Sequence, residues 1–332
     1  MTQTPSSSPA QTLMHLLSGK FVARSLGLVA ELGIADLLRD GPRAIEALAR
    51  DTGSHPRALY RVMRALAGIG VFAEAAGRTF ALTPLSQALR SDAAGSMRGM
   101  ARWLGAEPEA WRAWGDLGHS VRTGQPASAE VFAYFAANPA AGAIFDAAMA
   151  SGTHVTAEAV AAAYDFATAG RIVDVGGGQG TLLLAIRAKH PAIEATLFDM
   201  PHVIARARAA LTSQSSWLEL ATGSFFERVP PGDTCLLKHV VHDWSDELAT
   251  VILRRCREAL RPGGRVLVIE RPIGPDDDRA VRWMDLEMLV MTSGGQERTI
   301  GEFAALFARA GLTLVRTIET RSPVVILEAA AA

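Results

Sequence analysis

Along residues 170–330, short apolar runs rich in β-branched residues alternate with stretches whose apolar positions recur every three or four residues. The runs are Ile172–Val175, Ala195–Phe198, Leu218–Ala221, Thr234–Leu237, Arg265–Ile269, Thr313–Thr317 and Val324–Leu327. A run that is apolar on both faces reads as a strand buried in a parallel sheet, and a helical stretch between two such strands is a crossover. Helical stretches separate the first five runs, which predicts an α/β fold with a doubly wound, Rossmann-like sheet. The last two runs are joined by the short link 318–323. They are expected to form an antiparallel hairpin, putting an antiparallel strand at one edge of the sheet.

The pattern before residue 166 is different. Residues 1–12 are rich in Ser, Thr and Pro and are expected to be a disordered tail. From Leu13 to Leu38 the chain is helical in period and very apolar, more so than one face of a small domain needs, which points to a second subunit. Next come a helix over Ala44–Arg50 and a second to Ile69, with Ser54 as its expected cap and Pro56 in its first turn. The strands Val71–Ala73 and Thr79–Leu82 flank a turn. Two helices and a two-stranded wing predict a winged-helix dimerisation domain over 13–95. Residues 96–165 read as linking helices carrying Trp103, Phe145 and Met149, aromatic and thioether side chains suited to a flat apolar acceptor. Residues 166–332 form the sheet domain.

A winged helix raises the possibility of a DNA-binding regulator. Arg57, Arg61 and Arg64 share one helix face, but residues 1–100 carry only 11 Lys and Arg against 7 Asp and Glu. DNA readers usually carry a stronger basic stripe, so nucleic acid is not an expected partner. The whole chain of 332 residues has net charge −1 and is 49% apolar, enough for two cores and unlike a disordered chain. No unbroken apolar run reaches the roughly 18 residues of a membrane span, and no signal-peptide pattern opens the chain. Cys235 and Cys256, in a strand and a helix pattern, are expected to be buried thiols of a cytoplasmic protein, with no metal-ligand spacing.

Chemistry concentrates where the sheet ends. Ligands of such sheets sit at the C-terminal ends of the strands. After the first strand comes Gly176-Gly177-Gly178-Gln179-Gly180, then a helix, an arrangement that offers backbone N–H groups to a ligand. The dinucleotide spacing G-x-G-x-x-G is absent in either register. Asp174 lies inside the strand, where a carboxylate would repel a pyrophosphate and suit a cation. Asp199 ends the second strand, 23 residues beyond Gly176, where an acidic side chain accepts hydrogen bonds from a ribose diol. Glycines, Asp174 and Asp199 together suggest a cationic adenosine compound, and S-adenosyl-L-methionine fits. Ser224 and Phe225 follow the third strand, Lys238 to Trp244 the fourth, and Glu270 the fifth. His242 is the candidate general base, because an imidazole can take a phenol's proton in concert with attack. Glu270 and Glu297 are the candidate carboxylates that orient it. His239 is expected to be structural.

Six motifs resemble the S-adenosylmethionine-dependent small-molecule O-methyltransferases of plants and bacteria: VDVGGGQG (173–180), FDMPHV (198–203), GSFF (223–226), LKHVVHDWSDE (237–247), LRPGGRVLVIE (260–270) and GGQERT (294–299). The resemblance extends from about residue 13 to the end. It implies that Gly176, Asp199, Met200 and Lys238 hold the cofactor; Asp174, Gly178, Ser224 and Phe225 are the further candidates for the cofactor site. It implies His242 as base, with Glu270 and Glu297 beside it. The family usually has Asp where this chain has Ser224, so weaker adenine recognition is expected. The family is dimeric, its winged helix does not bind DNA, and neither membrane nor metal is implied. Phe145, Met149, Met288 and Thr292 are expected to face an aromatic small-molecule acceptor. Methylation of a ring nitrogen or carbon is the alternative within the family.

Overall fold

A computed structural model describes residues 8–128, 130–211, 216–274 and 279–332. The chain divides into two compact units, Met1–Trp111 and Arg112–Ala332.

The first unit opens with helices α1 (Pro9–Leu17), α2 (Gly19–Glu31) and α3 (Ile34–Leu37). Ser8 caps α1 through a reciprocal pair: its Oγ accepts the Gln11 N–H, and Gln11 Oε1 accepts the Ser8 N–H. The helix therefore starts inside the segment expected to be a disordered tail, whose residues 1–7 lie outside the described residues. The single helix expected over 13–38 is three pieces, broken at Ser18 and at Gly33, whose φ of 67° ends α2. Leu13, Met14, Leu16, Leu17 and Phe21 stand 61–69% exposed. Pro9–Glu31, with mean hydropathy 1.2 and 17% of that window buried, is long and apolar enough to cross a membrane by length and composition alone. Ser18, Lys20 and Arg24 interrupt its apolar sequence, so the segment contains no unbroken apolar run of that length.

Further along the unit come β1 (Arg43–Ala44), α4 (Ile45–Asp51), α5 (Pro56–Ala67), β2 (Phe72–Ala75), β3 (Thr79–Leu82), α6 (Pro84–Gln87) and α7 (Arg98–Ala106). The wing is three-stranded, β1-β3-β2, all antiparallel. His55, not Ser54, stands at the α5 N-cap, and no side chain caps it; the Ser54 hydroxyl accepts from Thr52 Oγ1 at 2.9 Å. Leu59, Met63 and Leu66 turn inward, while Arg57, Arg61 and Arg64 are exposed. Arg64 and Arg78 both pack over the Tyr60 ring, at 5.4 and 4.8 Å. Gly27 on α2 meets Gly105 on α7 so closely that a Cβ on either would stand 2.2–2.3 Å from the other helix's backbone. Arg24 donates to the Gly105 carbonyl at 2.8 Å across the same crossing.

The chain passes between units inside α8 (Pro108–Gly115). The second unit continues with α9 (Leu117–Thr123), α10 (Val131–Ala137) and α11 (Pro139–Ala163). The sheet elements follow: β4 (Arg171–Val175), α12 (Thr181–Lys189), β5 (Glu194–Asp199), α13 (Pro201–Ala210), β6 (Leu218–Thr222), β7 (Gly232–Lys238), α14 (Asp246–Ala259) and β8 (Leu260–Glu270). Last come α15 (Arg279–Met291), α16 (Ile300–Arg309), β9 (Leu312–Glu319) and β10 (Val325–Ala331). The seven strands lie in the order β6-β5-β4-β7-β8-β10-β9. The pairs from β6 to β8 are parallel, and β10 is antiparallel to both β8 and β9. The hairpin forms the edge as expected, but the reversed strand is β10, one in from the edge. Alternate residues feed two cores. Ile172 packs with Leu183, Ile186 and Val160 on one face, while Val173 packs with Ile252, Phe303 and Leu237 on the other. Each such buried side chain contributes roughly 1.5–3 kcal/mol. The strand order changes direction at β4, which has β5 on one side and β7 on the other, and the glycine turn leaves the sheet at that point.

Candidate active site

The turn after β4 is built from glycines for reasons visible residue by residue. Gly176 has φ 70°, and a Cβ there would stand 2.9 Å from Val240 Cγ2. A Cβ on Gly177 would strike Leu197 and Asp174 at 2.5–2.6 Å. Gly178, φ 58°, has nothing within 4 Å of where its Cβ would be, so a side chain would fill open space at the mouth of the turn. The Gly178 N–H donates to Asp199 Oδ2 at 2.9 Å, and the Met200 N–H to Asp199 Oδ1 at 2.7 Å. Asp199 thus clasps the glycine turn, and each oxygen keeps a lone pair for a diol. Burial raises its pKa, while those two N–H groups hold it back.

Asp174 is buried, and its Oδ2 has no hydrogen-bond partner. Burial, followed by the Asp199 charge, lifts its pKa to about 7 against the pull of Lys238. Burial lowers Lys238 to about 8, opposed by Glu270 and Asp174, and its Nζ donates to Thr153 Oγ1 at 3.3 Å. An orphaned buried carboxylate oxygen beside a glycine cradle fits a cationic adenosine ligand. Ser224 spends its hydroxyl locally, accepting the Phe226 N–H at 3.3 Å. Phe225 reaches Gly176, its Cε1 being 3.8 Å from the Cβ position there. Met200 is 44% exposed.

His242 sits in a 3-10 turn after β7, 6% exposed. Its Nδ1 lies 2.7 Å from Glu297 Oε1. A carboxylate can only accept, so Nδ1 carries the proton and Nε2 is the nitrogen left for an acceptor. Glu297 in turn is placed by its N–H, which donates to Asp285 Oδ1 at 2.9 Å. Glu270 behaves differently from the expectation. Its Oε2 is 3.9 Å from His242 Nδ1, beyond hydrogen-bond reach. It instead binds His239 Nδ1 at 3.0 Å and the N–H groups of Val241 and His242 at 3.1 and 3.4 Å. Glu270 therefore organises the loop, and Glu297 alone bonds the ring. His239 adopts φ 51°, a left-handed conformation held by this bond. One ring nitrogen of each of His239 and His242 and a carboxylate oxygen of Glu270 lie within 4.8 Å of one another, a spacing a divalent cation could use, but Nδ1 of each histidine is already hydrogen-bonded to a glutamate.

Burial disfavours a charged His242 ring. The carboxylates of Glu270, Asp243 and Glu297 outweigh it and raise the pKa to about 10. Asp243, whose Oδ1 is 3.6 Å from His242 Nε2, is itself lifted to about 7, chiefly by burial. Burial lowers His239 to about 4.

Sequence reasoning passed over Arg298, the largest of the fully buried side chains. It donates to the carbonyls of Val241, Trp244 and Gln296 at 3.1, 2.8 and 3.3 Å and binds Asp246 at 2.9 Å, locking the His242 loop to the start of α14. The only available signal was its place beside Glu297 in GGQERT. An aromatic wall was half seen. Phe145 stacks on Phe135 at 4.6 Å and meets Phe132 edge-on at 6.3 Å. Phe132 stacks on Trp244 at 5.4 Å, and Trp244 meets Phe225 and Phe226 at 5.9 and 4.7 Å. Met149, 37% exposed, follows Phe145 by one helical turn, and Met288 is buried. Thr292 is not free to contact a ligand as expected, because its hydroxyl donates to the Met288 carbonyl and accepts the Gly295 N–H, closing α15. Trp103 belongs to the first unit, on α7, and is buried.

A strand-end glycine cradle with a buried orphan carboxylate, beside a His–Glu pair at the next strand, defines a methyltransferase of Rossmann-like fold. The chain matches the family model of the O-methyltransferase domain over residues 114–313 and that of the O-methyltransferase dimerisation domain over 14–92, and it belongs to this family. It is 40% identical to the phenazine O-methyltransferase of Lysobacter antibioticus over 326 residues, 96% of this chain and 95% of the relative. It is also 40% identical to the mitomycin biosynthesis 6-O-methyltransferase of Streptomyces lavendulae, over 93% of this chain and 90% of the relative. An O-methyltransferase from neocarzinostatin biosynthesis, solved with S-adenosylmethionine and 2-hydroxy-5-methyl naphthoic acid, superposes with TM-score 0.79 at 33% identity, covering 94% of this chain and 96% of that one. An N,N-dimethyltransferase of 8-amino-8-demethylriboflavin from Streptomyces davaonensis is 37% identical over 95% of this chain and 93% of its own length. The protein is an S-adenosylmethionine-dependent O-methyltransferase of the secondary-metabolite type.

Proposed function

We propose that this enzyme methylates a phenolic hydroxyl of a flat aromatic molecule, with His242 as general base. The observation that carries this is the 2.7 Å bond from Glu297 to Nδ1, which leaves Nε2 as the nitrogen able to take a proton. When bound, the sulfonium supplies an electrophilic methyl carbon. Asp199 and the Gly178 turn hold the adenosine part, and Asp174 and Lys238 set the charge around it. Phe132, Phe145 and Met149 hold the ring of the acceptor, and Nε2 receives its hydroxyl proton. At neutral pH only a small fraction of a ring raised to about 10 is the free base, and transfer to it from a phenol of pKa ~10 is near balance. The acceptor wall and the naphthoic acid bound by the neocarzinostatin relative support a bicyclic phenol.

The raised pKa also supports a second acceptor. An imidazolium at neutral pH would not hinder attack by an amine nitrogen, the atom methylated by the riboflavin-analogue relative. His242→Gln separates the two. With a phenol, release of S-adenosylhomocysteine should slow by roughly 10²–10⁴-fold. The loss should shrink on electron-poor phenols that ionise unaided. Near-native turnover on ordinary phenols at neutral pH would remove His242 from the base role and favour the nitrogen acceptor. We also propose a homodimer through the exposed apolar face of α1 and α2, which from Met14 onward lies within the dimerisation domain. The buried, unpaired Cys235 and Cys256 support the reducing cytoplasm as its compartment.

A further inference from the structure

Helix α11 is tied to the cofactor side of the sheet at two points. Asp146 Oδ2 accepts Gln179 Nε2 at 3.1 Å and Arg206 Nε at 2.5 Å. Gln179 lies between Gly178 and Gly180 in the turn that receives the cofactor, and Arg206 lies on α13, the helix that follows Asp199 and Met200. Two turns further along α11, Thr153 Oγ1 accepts Lys238 Nζ at 3.3 Å. Asp146 and Thr153 are seven residues apart and so share one helix face. Phe145, next to Asp146, and Met149, one turn on, carry the aromatic wall. The helix that offers the acceptor wall is thus bonded to the Gly178–Asp199 clasp through Gln179, and to Lys238 through Thr153.

We infer that Asp146, Gln179 and Thr153 are positioning residues that couple the two halves of the reaction: a filled cofactor turn fixes α11, and α11 then presents Phe145 and Met149 to the acceptor. The physical ground is that a charge-assisted bond is strong only while both partners are held in place. Gln179 rides on a turn whose glycines 176, 178 and 180 all have positive φ, and glycine has more backbone freedom than any other residue type. Cofactor contacts that hold the turn also hold the Gln179 amide against Asp146, and Arg206 then keeps a fixed partner in a setting only 12–25% exposed. The coupling is reciprocal, so the acceptor should also tighten the cofactor. The inference rests on Phe145 and Met149 lining the acceptor, but it does not depend on His242 or on which atom is methylated.

The test uses the full-length protein and S-adenosylhomocysteine, with amide hydrogen exchange read by mass spectrometry. In the native chain, S-adenosylhomocysteine should slow exchange about tenfold over residues 144–156 as well as in the turn 176–181. In Gln179→Ala, protection of the turn should persist while that of 144–156 falls below about twofold. Calorimetric affinity for S-adenosylhomocysteine should stay within about threefold. Thr153→Val should give a partial loss, limited to the later part of α11. With 1,4-dihydroxy-2-naphthoic acid as the acceptor probe, Gln179→Ala should raise its dissociation constant about tenfold in the presence of S-adenosylhomocysteine and leave it unchanged without. Unaltered exchange in α11 of the native protein on adding S-adenosylhomocysteine overturns the coupling, and this arm needs no variant to fold. Full α11 protection in Gln179→Ala overturns the role of the latch. Lost protection with unchanged probe affinity overturns the placing of Phe145 and Met149 in the acceptor wall, and with it the coupling, while leaving the chemistry at His242 untouched.

Discussion

Glu297→Gln separates two carboxylates that the sequence could not rank. The glutamine keeps the shape and an oxygen that can still accept the His242 Nδ1 proton, so the tautomer survives and only the charge is lost. A hydrogen bond to a charged group contributes about 1.5–3 kcal/mol and a neutral one about 0.5–1.5. The difference, about 1–1.5 kcal/mol, corresponds to a loss of roughly 5–15-fold in maximal turnover. The pH profile should move as well, and its sign follows from the charge. Carboxylates hold the imidazolium, raising the ring to about 10. Removing the one at 2.7 Å weakens that hold, so the ring deprotonates at lower pH and the rising limb of activity moves down by about 1–3 pH units. The assay is S-adenosylhomocysteine release at saturating cofactor from pH 6 to 10, on a phenol with an ordinary pKa. Glu270→Gln is the contrast. Its carboxylate lies 3.9 Å from Nδ1 but binds His239 and two loop N–H groups. It should therefore lower the melting temperature more than the turnover of the molecules that remain folded. Unchanged maximal turnover in Glu297→Gln, or a limb that moves upward, would refute the assignment of Glu297 as the partner of the base.

Three further outcomes can be measured directly. Asp199→Ala removes the clasp on the Gly178 and Met200 N–H groups and should weaken S-adenosylmethionine binding by about 1.5–3 kcal/mol in titration calorimetry, the range for hydrogen bonds to a charged group. Gly105→Val would drive a side chain into the α2 backbone at Ala23 and Gly27, and a loss of about 1–3 kcal/mol is expected in denaturant unfolding, with the second unit's melting unaffected. Light scattering at micromolar concentration should give twice the mass of the 35.2 kDa chain, and Leu13, Leu16, Leu17 and Phe21 changed together to Ser should halve it; a native monomer would leave the exposed apolar face of α1 and α2 without its proposed partner.

Local pattern alone carried much of this protein. Strand and helix periods from residue 170 onward placed the sheet elements, because burial on both faces forces continuous apolar runs whatever the strand order. The glycine turn was legible for the same kind of reason: φ near +60° at Gly176, Gly178 and Gly180 favours glycine, and at Gly176 a Cβ would also stand 2.9 Å from Val240. Strand-end placement then gathered Asp199, Lys238, His242 and Glu270 without any contact being known. The register of that hairpin was not legible. That β10, and not the edge strand, runs against the rest depends on which neighbour it pairs with, a choice made by packing against β8. Nor could the sequence say which glutamate touches His242. Glu270 is 28 residues away and Glu297 is 55, and both motifs end in the same loop region. Only the packed structure brings Glu297 to Nδ1 and turns Glu270 to the backbone. The same is true of Arg298, a buried cation two of whose carbonyl partners, Val241 and Trp244, belong to a loop 54–57 residues away. It holds for the Asp146–Gln179 bond too, where two polar residues that look solvent-facing in their own helix and turn meet because the fold brings α11 beside the turn after β4. Period and turn chemistry are set by neighbours in sequence. Hydrogen-bond partners across tens of residues are set by strand order and by the requirement that buried polar atoms find one another, and those are properties of the folded chain.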